Sequence, residues 1–374
     1  MAWMKFIIVI LRGESRMQEK VSRILRKTGQ VFSGGGRDAG SSVFAETTAY
    51  AASTASRKAP HPFWIIVRKE MSDIMLSWRY VILLALMLLT CGASLYTAIT
   101  SIKTAVPTGE AVDSFLFLRL FTVSDGTIPS FMTFVSFLGP LLGIALGFDA
   151  VNSERNKGTL SRMMAQPIHR DYVINAKFVA GISVIGLLFF ALGLLIMGLG
   201  LLTLGIPPSF EEFLRMIFFL MLSVVYIAFW LNLSIAFSVR FRQPATSALS
   251  CIALWIFFSV FYTMIIEMIA KGIAPVNPTH MDQLVNYQQT VQFLLRLSPG
   301  HLFNEATMTL LMPEIRTLSL FVPPEQTYGA LPSPLSVGQS LLLVWPQLTG
   351  LIAAVLVCFM AAYMMFMRQE IRSR

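Results

Sequence analysis

The chain has 374 residues, of which 55% are hydrophobic and 13% are charged, and its mean hydropathy is +0.67. Soluble domains carry about 25% charged residues, so this composition excludes a water-soluble enzyme and indicates a membrane protein. Lys and Arg outnumber Asp and Glu by 29 to 20. A basic excess can serve nucleic-acid binding or membrane topology, and the positions of the charges decide between the two.

Residues 1–62 differ in composition from the rest of the chain. After a short apolar start they are rich in Gly, Ser, Thr, Ala, Lys and Arg. Such a segment has little apolar surface with which to offset the entropy cost of ordering. The sequence therefore predicts a flexible cytoplasmic tail over residues 1–62.

Residues 63–79 show a helical hydrophobic period. The apolar positions recur every three or four residues, while Arg68, Lys69, Asp73 and Arg79 occupy the other faces. These apolar positions are Phe63, Ile66, Val67, Met71, Ile74, Met75 and Trp78. Because the segment leads directly into an apolar run, it predicts an amphipathic helix at the membrane interface.

Six apolar runs follow, and together they define a transmembrane domain over residues 80–374. Each run reaches about the 20 residues that a membrane-spanning helix needs. The predicted spans are residues 80–100, 131–148, 178–204, 213–239, 248–269 and 341–367. The predicted fold is an all-α integral membrane protein with six transmembrane helices.

The loop between the fifth and sixth spans, residues 271–340, is the longest connection between spans. It contains two half-apolar stretches, residues 283–297 and 301–312, separated by Ser298-Pro299-Gly300. This pattern predicts two short helices with a break between them. Such helices could re-enter the outer leaflet if protein or water shields the backbone at the break.

The distribution of basic residues predicts the topology. Counted on alternate sides of the six spans, 23 Lys and Arg residues lie on the side of both termini and six lie on the other side. The positive-inside rule then places both termini in the cytoplasm of a multi-pass plasma-membrane protein. The basic excess is explained by topology, and no nucleic-acid partner is expected.

Two features inside the spans are candidate functional positions. Gly139, Gly143 and Gly147 repeat at four-residue spacing in the second span, which lets another helix approach closely, either within the subunit or, as the less favoured alternative, between subunits. Glu267 is the one acid well inside a predicted span. An acid in the membrane suggests a transport path, but this one lies near the outer end, where a side chain can also reach the interface.

Signatures of catalysis are absent from the sequence. The four histidines are scattered, neither H-E-x-x-H nor G-x-S-x-G occurs, and the three cysteines lie in apolar runs. We expect no catalytic, metal or cofactor site, so the chain is not predicted to be an enzyme by itself. Since no convincing nucleotide-binding motif is present either, an ATP-driven cycle would need a separate motor.

The loop between the second and third spans carries a recognisable pattern. It contains Glu154, then Gly158-Thr159-Leu160, then Pro167 and Arg170, with Lys177 entering the next span. This arrangement resembles the signature of permease subunits of type-2 ABC exporters, and the resemblance extends over about residues 63–374.

The resemblance implies a permease that pairs with a second copy or a related permease and with a separate cytoplasmic ABC ATPase, which binds the ATP. The loop would then contain a docking helix, in which Gly158 ends one helix, Thr159 caps the next, and Leu160 and Met163 offer an apolar face to the ATPase. The alternatives are a solvated positive-inside loop, a six-span secondary transporter or channel without an ATPase, and a membrane anchor for a cytoplasmic complex.

Overall fold

The computed structural model describes residues 61–105, 115–165, 169–205, 207–273, 281–313 and 335–368. The predicted flexible tail, apart from residues 61 and 62, lies outside these ranges, as does Pro167. All regular secondary structure in the described ranges is helical. Six helices are long and apolar enough to cross a membrane, which confirms the predicted all-α membrane fold.

The amphipathic helix, Pro62–Met75, precedes six spans, five of which are longer than the predicted apolar runs. The spans, numbered one to six, are Trp78–Ala105, Phe131–Gly147, Arg170–Leu204, Phe210–Arg240, Pro244–Ile273 and Val337–Arg368. Most spans extend beyond the apolar run because their polar terminal turns are helical as well. Span three shows this most clearly, since it begins eight residues before the predicted start.

Five short helices lie in the described parts of the connections. They are Leu116–Thr122, Asn152–Asn156, Thr159–Met164, Met281–Leu295 and Pro299–Leu311. The last two match the two helices predicted for the long loop, and Ser298 is the N-cap residue of the second. The helix Leu116–Thr122 was not predicted, because seven residues are too few to show a clear hydrophobic period.

Span four lies at the centre of the bundle and contacts spans two, three, five and six. The three glycines of span two allow its closest approach. A Cβ atom at Gly143 would lie 2.8 Å from the carbonyl oxygen of Ile227, and one at Gly147 would lie 2.8 Å from that of Leu231. At Gly139 the nearest atoms would belong to the Ile227 side chain. All three glycines therefore serve helix packing within the subunit.

Arg215 joins three segments at one end of the bundle. Its side chain is fully buried and donates hydrogen bonds to the carbonyl oxygen of Leu310 and the hydroxyl of Ser340, both at 3.0 Å. Glu211, one turn earlier in span four, provides the countercharge at 2.9 Å. The buried guanidinium thus ties span four to the last connecting helix and to the start of span six.

Glu212 fixes the unpredicted helix at the same end. It forms a capping box with Ser209 at the start of span four, and its other carboxylate oxygen accepts a hydrogen bond from the Phe117 backbone N–H at 2.9 Å. Four residues of the short helix Leu116–Thr122 are buried. This helix is therefore part of the core and not a surface loop.

Candidate functional site

Lys177 is the centre of a buried group of charges at the other end of the bundle. Only 4% of its side chain is exposed, and its Nζ lies 2.9 Å from Glu70 Oε2 and 2.8 Å from Glu154 Oε1. Lys177 belongs to span three, Glu70 to the amphipathic helix, and Glu154 to the loop helix Asn152–Asn156. One ammonium group therefore joins three separate structural elements.

Lys69 extends this group toward solvent. Its Nζ lies 3.0 Å from Glu70 Oε1, 3.0 Å from Asp73 Oδ2 and 3.6 Å from Glu154 Oε1. About half of its side chain is exposed, so Lys69 forms the solvent-facing edge of the group. We call these five residues the ion-pair cluster: Lys69, Glu70, Asp73, Glu154 and Lys177.

The cluster stabilises the charged forms of Glu70 and Lys69. Burial alone would raise the pKa of Glu70, but attraction to Lys177 and Lys69 outweighs burial and lowers the pKa below its usual value. Burial likewise opposes the charged form of Lys69, while Glu70, Asp73 and Glu154 raise its pKa overall. The cluster is therefore an ionic junction at neutral pH.

The amphipathic helix brings Glu70 to this junction by packing on span three. Ile66 and Val67 are buried against Ala176 and Ala180 in a small apolar cluster of their own. Glu70 follows Ile66 and Val67 by one helical turn, so it lies on the buried face of the same helix. Glu70 was not predicted from the sequence, although its position on the apolar face was a usable signal.

The loop between spans two and three forms two short helices that meet at Gly158. This residue has φ of +70°, a conformation that glycine adopts without strain, and it occupies the N-cap position of the second helix. Thr159 is therefore the first helical residue and not the cap that was predicted. Its hydroxyl instead donates to the Glu154 carbonyl oxygen at 3.1 Å and so closes the end of the first helix.

Span four holds the start of the first loop helix, and the turn after span four holds its end. The Ser238 hydroxyl oxygen accepts hydrogen bonds from the backbone N–H groups of Val151 and Asn152, at 2.9 and 3.2 Å. The Asn156 side chain donates to the Arg242 carbonyl oxygen at 3.1 Å. The loop is thus attached to spans three and four as well as to the amphipathic helix.

The apolar side of the second loop helix faces the bundle. Leu160 is 2% exposed and belongs to the main hydrophobic core, and Met163 packs against that core while half-buried. The predicted apolar face for a partner does not exist at Leu160, because this two-turn helix lies directly on the bundle and buries its apolar side there. The exposed basic side chains of this loop are Lys157, Arg162 and Arg170.

A cavity of about 490 Å³ lies beside the ion-pair cluster. Its lining includes a second ion pair, in which Arg79 Nη2 of span one lies 2.7 Å from Asp149 Oδ2 after span two. In the described ranges, no group of three or more His, Cys, Asp or Glu side chains is arranged to hold a metal ion. The cavity is therefore bordered by two groups of ion pairs, one around Lys177 and one between Arg79 and Asp149.

Glu267 is not brought to the ion-pair cluster. It is exposed on the last helical part of span five, near the end of the bundle where Arg215 lies. The structure thus joins two of the predicted loop residues, Glu154 and Lys177, and leaves Glu267 apart from them.

Comparisons with known proteins agree with the resemblance of the loop. A family model described as ABC-2 family transporter protein matches residues 64–371, which include the whole ion-pair cluster. A probable ABC transporter permease protein NosY from Pseudomonas aeruginosa is 26% identical over 242 residues, which are 60% of this chain and 80% of the relative. The protein of the same description from Stutzerimonas stutzeri is 24% identical over 240 residues, with the same shares.

Proposed function

Because the chain belongs to the ABC-2 transporter family and is the membrane permease subunit of an ABC transporter, we propose that it exports its substrate with energy from a separate cytoplasmic ATPase. The sequence itself has no convincing phosphate-binding loop, which supports placing ATP on that partner. The family match favours this function over the channel and the membrane anchor.

The observation that carries the proposal is the position of Lys177 between Glu70 and Glu154. Separating buried opposite charges leaves each without its partner, which costs about 3 to 5 kcal/mol. The loop, the amphipathic helix and span three therefore move together. A displacement of the loop by the ATPase is passed through this junction to the membrane spans.

The docking surface is basic and not apolar. Lys157 and Arg162 are exposed on the loop, whereas Leu160 is buried under it. These side chains fit an acidic groove on the ATPase, and their charges set orientation and association rate. This surface replaces the apolar face that the sequence suggested.

Charge reversal tests the docking surface. Replacing both residues, Lys157→Glu with Arg162→Glu, is expected to weaken recovery of the co-expressed ATPase roughly tenfold, because two attractions become repulsions. Lys271→Glu, at an exposed lysine near the opposite end of the bundle, is the control and should leave recovery unchanged. If the double variant recovers as much ATPase as the wild type, this loop does not dock the ATPase.

The proposed orientation places the ion-pair cluster in the cytoplasm of a plasma-membrane protein, with both termini on the same side. The split of 23 to six basic residues supports it. Single cysteines at Arg162 and Lys271, both exposed, in a background without Cys91, Cys251 and Cys358, should react with an impermeant thiol reagent from opposite sides of sealed vesicles. Reaction from the same side would contradict this topology.

The functional unit that we propose contains a second permease, either another copy of this chain or a related one. The family resemblance supports it, and Glu267 remains a candidate for the transport path in that assembly. Mass measurement of the complex in lipid nanodiscs should show two permeases with two ATPases. A complex with a single permease would contradict the dimer.

A further inference from the structure

A second cavity, of about 350 Å³, lies at the opposite end of the bundle from the ion-pair cluster. Spans two, four and five and the helix Pro299–Leu311 all contribute to its wall. Ligand pockets in proteins typically measure about 300 to 1,000 Å³. The cavity is thus large enough for a small organic molecule.

The wall combines aromatic rings with neutral polar groups. Phe137, Tyr226 and Tyr262 contribute rings, while Ser136 and Asn304 contribute uncharged hydrogen-bonding groups. Aromatic surface with a few polar groups is the usual composition of a small-molecule site. A purely structural void between helices would be apolar and smaller.

Among the residues that the structure describes, none of those lining the cavity is Asp, Glu, Lys or Arg. Its one histidine is His301, and burial lowers the pKa of this imidazole, with a smaller opposing effect of Glu305. His301 is therefore neutral at physiological pH. A charged ligand would lose its hydration here without gaining a countercharge, so the wall selects against ions.

Trp230 supplies a hydrogen-bond donor to the cavity. The residue is 1% exposed, and its indole N–H makes no hydrogen bond of good geometry within the described part of the chain, although the Tyr226 hydroxyl lies nearby. That hydroxyl donates its own proton to the Ser136 carbonyl oxygen at 3.2 Å. A buried donor without a partner is costly, and a ligand acceptor would remove this cost.

Span five contributes a π-helical segment to the cavity wall. Residues Phe257–Phe261 depart from α-helical geometry, and Phe258 and Ser259 of this segment line the cavity. Single-turn π-helices occur frequently at functional sites, since they cost stability and shift side chains out of the regular register. Here such a segment forms part of the cavity wall.

We propose that this cavity binds a small uncharged molecule that has an aromatic or other flat apolar face and a hydrogen-bond acceptor. The rings contact the flat face and the Trp230 N–H donates to the acceptor. Binding uses residues of this chain alone, so it does not depend on the proposed ATPase coupling or on the direction of transport.

Benzophenone is a suitable probe, because it is uncharged, has two aromatic rings and carries one carbonyl acceptor. On irradiation its carbonyl takes a hydrogen atom from a nearby C–H bond, and the two carbon radicals combine, so the adduct has the summed mass of protein and probe. Met132 lines the cavity and is only 7% exposed, whereas Met360 is 54% exposed on span six. In nanodiscs, labelling of Met132 should saturate as the benzophenone concentration rises. Labelling of Met360, by probe dissolved in the lipid, should not saturate.

Three variants test the assignment. Ser259→Trp fills the cavity and should abolish Met132 labelling, whereas Val260→Trp, at the next and 61% exposed position outside the lining, should leave it unchanged. Trp230→Phe keeps the ring but removes the donor, and should reduce labelling at low probe concentration by about threefold to tenfold. Labelling of Met132 that is absent, non-saturable or insensitive to Ser259→Trp would overturn the proposal.

Discussion

Lys177 of span three and Glu154 of the preceding loop are direct partners, with 2.8 Å between Nζ and Oε1 across 23 residues of sequence. Both belong to the pattern by which the loop resembles ABC-2 permeases. Their spacing in the sequence therefore reflects a contact in space. Glu70, which lies outside that pattern, completes the contact from the amphipathic helix.

Loss of the central ammonium should destabilise the protein. Lys177→Met leaves the buried carboxylates of Glu70 and Glu154 without their main countercharge, and we expect a loss of about 3 kcal/mol in the free energy of unfolding. Thermal unfolding of the purified protein measures the effect. Adding Glu70→Gln and Glu154→Gln to this variant should restore part of the lost free energy of unfolding. The control is Lys103→Met, which replaces an exposed lysine of span one. An unchanged midpoint in Lys177→Met would show that the junction contributes no stability.

Acidification should weaken the same junction through Glu70. The folded-state pKa of this carboxyl lies below its ordinary value of 4.5, so the unfolded chain binds the proton more readily. The stabilisation is fully present above about pH 4.5 and is lost as the pH falls through the lower folded-state pKa. Unfolding midpoints measured from pH 7 down to pH 3 should fall less steeply in Glu70→Gln than in the wild type. Parallel curves would contradict this role of Glu70.

The contact between spans two and four should not tolerate a methyl group at Gly143. In Gly143→Ala the new Cβ would lie 2.8 Å from the Ile227 carbonyl oxygen, which is a backbone atom and cannot rotate away. We expect a loss of about 1 to 3 kcal/mol in the free energy of unfolding. Gly186→Ala in span three is the matched control, because no atom lies within 4 Å of its new Cβ. That variant should be neutral or gain about 0.5 to 1 kcal/mol, and equal losses in both would argue against close packing at Gly143.

Replacing Leu160 should destabilise the fold of the loop itself, even when no ATPase is present. Leu160→Ala removes a buried side chain and should cost about 2 to 5 kcal/mol, whereas Arg162→Ala at the surface should cost about 1 kcal/mol or less. Limited proteolysis of the loop, without the ATPase present, distinguishes the Leu160→Ala variant from the Arg162→Ala variant. Faster cleavage is expected in Leu160→Ala only. Wild-type resistance in this variant would mean that Leu160 is not part of the core.

The sequence by itself determined the class of the protein, the six spans and the family, because each depends on local properties. A run of about 20 apolar residues spans a bilayer whatever surrounds it. The spacing from Glu154 to Lys177 could likewise be recognised along one stretch of chain. The short helix Leu116–Thr122 escaped prediction because so few residues carry too weak a local signal.

Only the tertiary structure decided which side chains meet. Lys177, Glu70 and Arg215 were visible as charges near or within apolar segments, but burial of a charge depends on partners brought from distant segments. The sequence predicted that Leu160 contacts the ATPase, because the apolar face of a two-turn helix has the same pattern whether it packs on an ATPase or on its own bundle. The choice between these faces depends on how the loop folds back on spans three and four, and that is a long-range property that no local pattern contains.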